Sequence, residues 1–359
     1  MALRRLAAAL AATVVLIVAT ACLMPAQSQP AQVGSEPLAA YGDAVERFKA
    51  ILRERADQIA AKHPLPDRPG QALYLARTAV MSAYKDLTDA QPAMIGRPNK
   101  FGVPPAYFDA GLEPLIDEYL RLFAVMQAAP GNAQNSPTPF EDVVRLGNAI
   151  GRAVGLGPAD ARTAGQISLG MFFAETNGLQ NIGNARSDAY KGSFQTGIAE
   201  DRNGQRKWAV LRGSIAAFDP ALIARDDKEE ARAGTLDRRF NHWTAVRDGL
   251  MNAHAAVFPQ LPAIAKAMPN PIDQMKLFEL IQIVPSPTRS AIASGNIAAY
   301  RVSDPRIMGY LRNNSIFAFG KADRARTSAS YREILDAMWL FNDKFEHALG
   351  KLQDIESRK

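Results

Sequence analysis

Apolar residues recur at steps of three and four positions along most of the chain, which is the spacing that one face of an α-helix requires. This pattern predicts a helix over residues 45–59, which ends at His63-Pro64, and further helices over residues 73–84 and 112–126. Regular alternation of apolar and polar residues, which is typical of a half-buried strand, is scarce. The sequence therefore predicts a mainly α fold.

A polar segment rich in Asn and Pro, residues 131–139, is the best candidate for a domain boundary. It separates an N-terminal helical region, residues 37–130, from a second region, residues 140–359. Ahead of both, residues 23–36 are rich in Pro, Gln and Ser and lack an apolar period, so they are predicted to form a flexible tether. A chain of 359 residues is long enough for two domains of ordinary size.

Start and stop signals mark the helices of the second region. Thr138 and Glu141 have the spacing of a capping box, so a helix is expected to begin there. A later, very apolar helix is expected to end just after Glu175, at Asn177-Gly178. The stretch 179–215 has no clear period and is predicted to be a long loop region, which in a helical protein usually carries function or is mobile.

Helical signals continue to the end of the chain. Asn270 is placed to cap a helix that Pro285 and Pro287 would end. Ser330 and Glu333 have the spacing of a second capping box, which predicts a long final helix.

Residues 1–22 have the composition of an export signal. Arg4 and Arg5 precede an uncharged apolar run, which ends in small residues directly before Cys22. The placement of this cysteine resembles the lipobox of bacterial lipoproteins, in which the cysteine is lipidated and becomes the first mature residue, although Ala19 stands where leucine is usual. We therefore expect a membrane-anchored lipoprotein of the periplasm or cell envelope. Plain secretion and an uncleaved membrane anchor stay open as alternatives.

Charge and composition exclude several classes of function. The formal net charge is +6, and no block of Lys and Arg is interleaved with aromatic residues, so a nucleic-acid partner is not expected. A single cysteine excludes an internal disulfide framework. None of the four histidines has a second ligand at the spacing of a metal site, and no phosphate-binding glycine loop is present. The sequence therefore predicts neither a metal nor a cofactor.

The residues around Glu175 suggest a specific chemistry. Glu175 stands at the C-terminal end of an apolar helix, close to Phe172 and Phe173. Removal from water and the partial negative charge at a helix end both raise the pKa of a carboxyl group. A carboxyl group that stays protonated near neutral pH is what a general acid for glycosidic cleavage requires. The small and polar residues that follow suit a narrow, hydrogen-bonding cleft: Asn184, Ser187, Gly192, Ser193 and Gln195.

The order Glu-Thr-x-Gly, then Ser, then Gly-x-Phe-Gln resembles the lytic transglycosylase domain of the lysozyme-like superfamily. The resemblance covers about half of the chain and implies a lysozyme-like helical catalytic domain. On this resemblance, Glu175 takes the place of the catalytic acid and Ser187 that of the serine that positions the substrate. The segment from Gly192 to Gln195 takes the place of the family's Gly-Leu-Met-Gln strip, which binds the substrate.

A weaker similarity lies in residues 298–311, where Tyr300 is the counterpart of a family tyrosine that reaches the catalytic Glu. The sequence departs from the family pattern in three places. Glu175 and Gln195 are 20 residues apart, about two more than the family spacing. Thr176 replaces the usual Ser after the catalytic Glu, and Arg301-Val302-Ser303 stands where the family has Asn-x-Gly.

The resemblance implies a peptidoglycan lytic transglycosylase, with the glycan strands as its partner. A single Glu175 would act as acid and then as base on the linkage between N-acetylmuramic acid and N-acetylglucosamine, giving a 1,6-anhydro product. Two alternatives stay open. The first is a non-catalytic helical envelope lipoprotein, structural or partner-binding. The second is an inverting, muramidase-type hydrolase that uses Asp188, Glu200 or Asp201 as a base for water; otherwise these three are expected to be surface acids.

Overall fold

Helices dominate the described part of the chain, as the apolar periodicity predicts. The computed structural model describes residues 36–66, 68, 70–90, 114–115, 117–119, 121–122, 138–176, 178, 182–184, 189–233, 237–253, 257–314, 317 and 326–358. The predicted signal and lipidation site, with Cys22, lie outside these ranges, as do nearly all of the predicted tether and most of the predicted boundary segment. Within the described ranges, no helix has both the length and the apolar character needed to cross a bilayer.

Two long helices, α1 (Glu36–Ala60) and α2 (Gln71–Ala90), open the described chain. Described residues between 114 and 122 are helical as well, and the ring of Tyr119 packs on that of Phe48, with the centroids 5.9 Å apart. The apolar positions that predicted these helices are buried: Val45, Phe48, Leu52, Leu73, Val80, Tyr84, Tyr119 and Leu122. Their burial explains why this part of the chain is helical.

The centre of the fold is a pair of closely packed helices, α3 (Phe140–Ala153) and α4 (Pro158–Thr176). Glycine permits the close approach, because a Cβ atom on Gly147 would lie 2.2 Å from Ser168 Oγ. Buried residues occupy every side of α4, and a helix that is apolar on all sides belongs in a protein core.

The capping box predicted from Thr138 and Glu141 is wrong. Pro139 occupies the N-cap position of α3, and no side-chain hydrogen bond caps that helix. The side chain of Thr138 is instead buried, with 1% of its surface exposed.

The next layer contains α5 (Ile198–Phe218), α6 (Pro220–Ala233), a 3₁₀ turn at Arg238–Phe240 and α7 (His242–Ala253). The prediction of a loop through residue 215 is therefore wrong from residue 198 onward. The four residues that α5 buries are Asp201, Gly204, Trp208 and Ile215. Because two of the four are not apolar, the buried face leaves no apolar period in the sequence.

A second group of helices follows a 3₁₀ turn at Phe258–Gln260: α8 (Leu261–Ala267), α9 (Pro271–Ile283) and α10 (Pro285–Ala293). The predicted cap is confirmed, because Asn270 Oδ1 accepts a hydrogen bond from Ile272 N at 2.9 Å. Helix α9 ends before Pro285 as predicted. Pro285 also begins α10, since the first turn of a helix tolerates proline.

The C-terminal part contains β1 (Arg301–Val302), α11 (Pro305–Asn313) and β2 (Ala329–Ser330), with the two strands paired antiparallel. The capping box of Ser330 and Glu333 is confirmed by hydrogen bonds in both directions. The predicted long final helix is interrupted, however. It consists of α12 (Tyr331–Ala337), a 3₁₀ turn at Trp339–Phe341 and α13 (Asn342–Glu356).

The described residues from Pro37 onward pack as one compact unit, in which α2 contacts distant parts of the chain. The ring of Tyr84 meets that of Trp339 edge to face, with centroids 5.9 Å apart. The Gln71 side chain accepts a hydrogen bond from Gly183 N at 2.6 Å and donates one to Gly183 O at 3.0 Å. Helix α2 therefore lies beside the segment that follows Glu175.

Candidate active site

Glu175 lies in the last turn of α4. The helix ends as predicted, because Gly178 has a φ of +73° and its N–H donates to Phe172 O at 3.2 Å. Phe172 and Phe173 are fully buried, whereas part of the Glu175 side chain stays accessible to solvent. Glu175 therefore lies at the edge of the core.

Charged side chains from two other helices act on this carboxyl group, and one from a third helix acts on Lys344. Glu279, on α9, has only 6% of its surface exposed, and its Oε2 atom has no hydrogen-bond partner among the described residues. Lys344, on α13, donates a hydrogen bond from Nζ to Ala174 O, beside Glu175. Arg77, on α2, is buried and near enough for its charge to act on Lys344. The site is therefore assembled from four helices that are distant in sequence.

Glu175 and Glu279 both favour their protonated forms. Removal from water raises the pKa of Glu175 well above its ordinary value of 4.5; the charge of Glu279 raises it further, and the positive charge of Lys344 opposes both effects. Burial raises the pKa of Glu279 to about 7. Burial lowers the pKa of Lys344 to about 7, and the positive charge of Arg77 adds to this effect. Because these groups interact strongly, they take up and release protons as one unit, in which burial favours the protonated form of Glu175.

The turn from Gly192 to Gln195 packs against the end of α4. Thr176 Oγ1 donates a hydrogen bond to Ser193 O at 3.4 Å. The rings of Phe172 and Phe194 stack with their centroids 6.0 Å apart. The backbone of Lys191 forms isolated antiparallel β-bridges with Gly183 and with Thr196, which hold the turn in place. The two halves of the sequence motif are therefore neighbours in space.

Gln195 has an unusual backbone and an incompletely paired side chain. Its φ is +47°, a left-handed conformation that is uncommon for residues other than glycine. Its Nε2 donates to Gly192 O at 2.9 Å, while its buried Oε1 has no partner among the described residues. Such conformations cluster at functional sites, because a purely structural turn gains nothing from the strain.

Replacing Gly192 with alanine should destabilise the fold by at least about 2 kcal/mol. Alanine would be strained in the left-handed backbone conformation, and its Cβ atom would overlap a neighbouring backbone atom. Gly192 has a φ of +78°, and an added Cβ atom would lie 2.0 Å from Arg239 O. Gly213→Ala is the matched control, because nothing lies within 4 Å of its Cβ position on α5. Chemical denaturation measures both, and equal stabilities of the two variants would contradict the tight packing of the turn.

The other predicted site residues have separate outcomes. Ser187 lies outside the described residues. The ring of Tyr300 lies edge-on to that of Tyr331, with centroids 6.0 Å apart, and Tyr331 in turn donates a hydrogen bond to Thr288 Oγ1 at 2.7 Å. A contact between Tyr300 and Glu175 stays a prediction. Asp201, expected to be a surface acid, is buried, because α5 turns that side of its first turn toward the core.

Sequence reasoning missed Glu279, Lys344 and Arg77. The one available signal was a Glu inside the apolar run Met275–Ile283, since a charged residue in a wholly buried helix needs a partner. Nothing in the sequence links that position to Lys344 or Arg77. Among the described residues, no cluster of three or more His, Cys, Asp or Glu could hold a metal ion.

Comparison of the chain with protein-family models, curated proteins and solved structures gives no match.

Proposed function

We propose that this protein is a lytic transglycosylase that cleaves the glycan strands of peptidoglycan, with Glu175 as the proton donor. The observation that carries the proposal is a carboxyl group whose pKa burial raises well above 4.5, on a residue that stays partly accessible to solvent. A general acid for glycoside cleavage needs both properties at once. The adjoining turn with Gln195 supports the same function, because it provides polar groups beside the acid.

In the proposed reaction, Glu175 gives its proton to the oxygen that bridges N-acetylmuramic acid and N-acetylglucosamine. The bond from the anomeric carbon to that oxygen breaks, and the N-acetyl group of the same sugar stabilises the positive charge that develops. Ser187 orients this N-acetyl group. Glu175, now a carboxylate, takes the proton of the sugar's 6-hydroxyl, whose oxygen closes the 1,6-anhydro ring. No water is consumed.

Glu279 favours one competing reaction, because it supplies a second carboxyl group next to Glu175. An inverting hydrolase uses such a group to activate a water molecule. Water needs room beside that base, however, and only 6% of the Glu279 surface is exposed. We therefore assign Glu279 the role of a positioning residue that helps Glu175 keep its proton, rather than that of a base.

The buried charges also favour a non-catalytic alternative, in which Glu175, Glu279 and Lys344 only hold helices together. Incubation of the purified full chain with peptidoglycan sacculi distinguishes the transglycosylase, the hydrolase and the non-catalytic protein. The proposal predicts soluble muropeptides with 1,6-anhydro ends, detected by mass spectrometry. Reducing ends that carry ¹⁸O from labelled water would instead identify a hydrolase, and intact sacculi with folded protein would identify a non-catalytic role.

The rate of cleavage should fall as pH rises through the pKa of Glu175, because only the protonated form donates. The positive charge of Lys344 lowers that pKa, so Lys344→Met should move the alkaline limb of the pH–rate profile to higher pH. Lys351→Met is the matched control, because Lys351 lies on the same helix and pairs with Asp354. An unchanged limb in Lys344→Met would contradict the electrostatic arrangement.

A further inference from the structure

A groove of about 360 Å³ runs from the Gln195 turn to the junction of α9 and α10. Helix α5 contributes Glu200 to its wall, and the middle of α10 contributes Arg289. Gln282 lies one turn beyond Glu279 on α9 and also lines the groove. The groove therefore adjoins the candidate active site and shares the Gln195 turn with it, while Glu200, Gln282 and Arg289 take no part in the cleavage step.

Two glutamine side chains in the groove have complementary unpaired atoms. Gln195 Oε1, an acceptor, and Gln282 Nε2, a donor, are both buried and without a partner among the described residues. Leaving such an atom unpaired costs about 1–3 kcal/mol. Because the terminal torsion of a glutamine is broad, a modest rotation turns either atom toward the groove. A peptide group, with one donor and one acceptor, satisfies both.

One end of the groove is positively charged. Arg289 is exposed, and no carboxylate pairs with it among the described residues. Lys207 lies close by and donates from Nζ to O of Asn252, which lines the groove, at 2.8 Å. Burial lowers the pKa of Lys207, and the positive charge of Arg289 lowers it further. Two cations whose charges act on each other, with no acidic partner among the residues that the structure describes, favour an anionic ligand.

The dimensions also fit a short peptide. Glu200 and Lys207 are seven residues apart on α5, so they are about 10 Å apart at a rise of 1.5 Å per residue. This span matches about three residues of extended chain. The exposed ring of Tyr190 lies at the Glu200 end and offers an apolar contact surface.

We propose that this groove binds a short peptide through its backbone amides, with the free C-terminal carboxylate of the peptide held between Lys207 and Arg289. The identity of the peptide rests on the proposed function. If the protein cleaves peptidoglycan, the peptide is the stem carried by the glycan strand. The groove then selects strands by their stems, while Glu175 cleaves the sugar linkage beside it.

Calorimetric titration of the purified full chain with N-acetyl-trialanine, and with the C-terminal amide of the same peptide, tests the groove. The acid should bind at least about tenfold more tightly than the amide, since only the acid has a charge to pair with the two cations. Arg289→Gln should bring the two dissociation constants within about twofold, and Lys207→Gln should reduce the preference as well. Arg306→Gln is the control, an exposed arginine on α11 that should leave the preference unchanged.

Equal affinity of the wild-type chain for acid and amide would overturn the proposal, as would a full preference retained in Arg289→Gln. The titration needs no cleavage, so its outcome is independent of Glu175. A clear preference for the acid together with intact sacculi would overturn the transglycosylase proposal alone. Anhydro products with no such preference would overturn only the groove.

Discussion

Glu175→Gln should lower the rate of anhydro-muropeptide release by about 100-fold to 10,000-fold, the usual contribution of a general acid. Glutamine has the shape of a protonated glutamate but cannot give a proton to the glycosidic oxygen. Because burial favours the protonated form of Glu175, the replacement puts a neutral group where the fold favours a neutral one. Folding stability should therefore change by less than about 1 kcal/mol, far less than for loss of a buried charge.

Glu54→Gln is the matched control, since Glu54 is exposed on α1 and its only described partner is Gln58, one turn away. Product release is followed by mass spectrometry, and unfolding by chemical denaturation. Cleavage by Glu175→Gln at the wild-type rate would remove this residue from the mechanism. A loss of activity that is matched by loss of the folded state would point instead to a structural role.

Arg247→Met should destabilise the fold by about 3–5 kcal/mol, the usual cost of removing one partner from a buried ionic network. Arg247 is 1% exposed and binds Asp226, Glu230 and Asp248. Asp226 in turn accepts hydrogen bonds from the indoles of Trp208 at 2.8 Å and of Trp243 at 2.7 Å. The network joins α5, α6 and α7, so loss of Arg247 removes the buried counter-charge that these three carboxylates share and leaves them, among the described residues, only Arg238 and Arg212.

The loss of folding stability caused by Arg247→Met should be larger at pH 8 than at pH 5. Burial raises the pKa of Asp248 to about 7 even with Arg247 beside it, so this carboxyl group is neutral at the lower pH and needs no partner there. Arg145→Met is the control, because Arg145 is about half exposed where it pairs with Asp219 and should contribute less than about 1 kcal/mol. Equal losses in both variants would show that the network contributes no more than a surface pair.

Local signals in the sequence predict much of the fold. Apolar spacing locates α1 and α2, the Asn177-Gly178 break ends α4, and Ser330 caps α12. Each of these features depends on residues within a few positions of one another. Helix α5 was not predicted, because two of its buried positions, Asp201 and Gly204, are not apolar. Tertiary packing buries them, and they leave no apolar period in the sequence.

The candidate site likewise combines features that local sequence predicts with features that only tertiary packing creates. The high pKa of Glu175 was predicted from its apolar helix, and burial is indeed the largest cause of the shift. The second cause, Glu279, and the opposing charge of Lys344 come from α9 and α13. No local pattern places those residues beside Glu175, because only the packing of the helices against α4 brings them together.

A ¹³C NMR titration of the Glu175 carboxyl carbon, assigned by comparison with Glu175→Gln, measures the property on which the proposed chemistry depends. The carbon should titrate with an apparent pKa well above 4.5. A carboxyl group that is ionised at pH 5, with a pKa at or below 4.5, would have no proton to donate and would contradict the account.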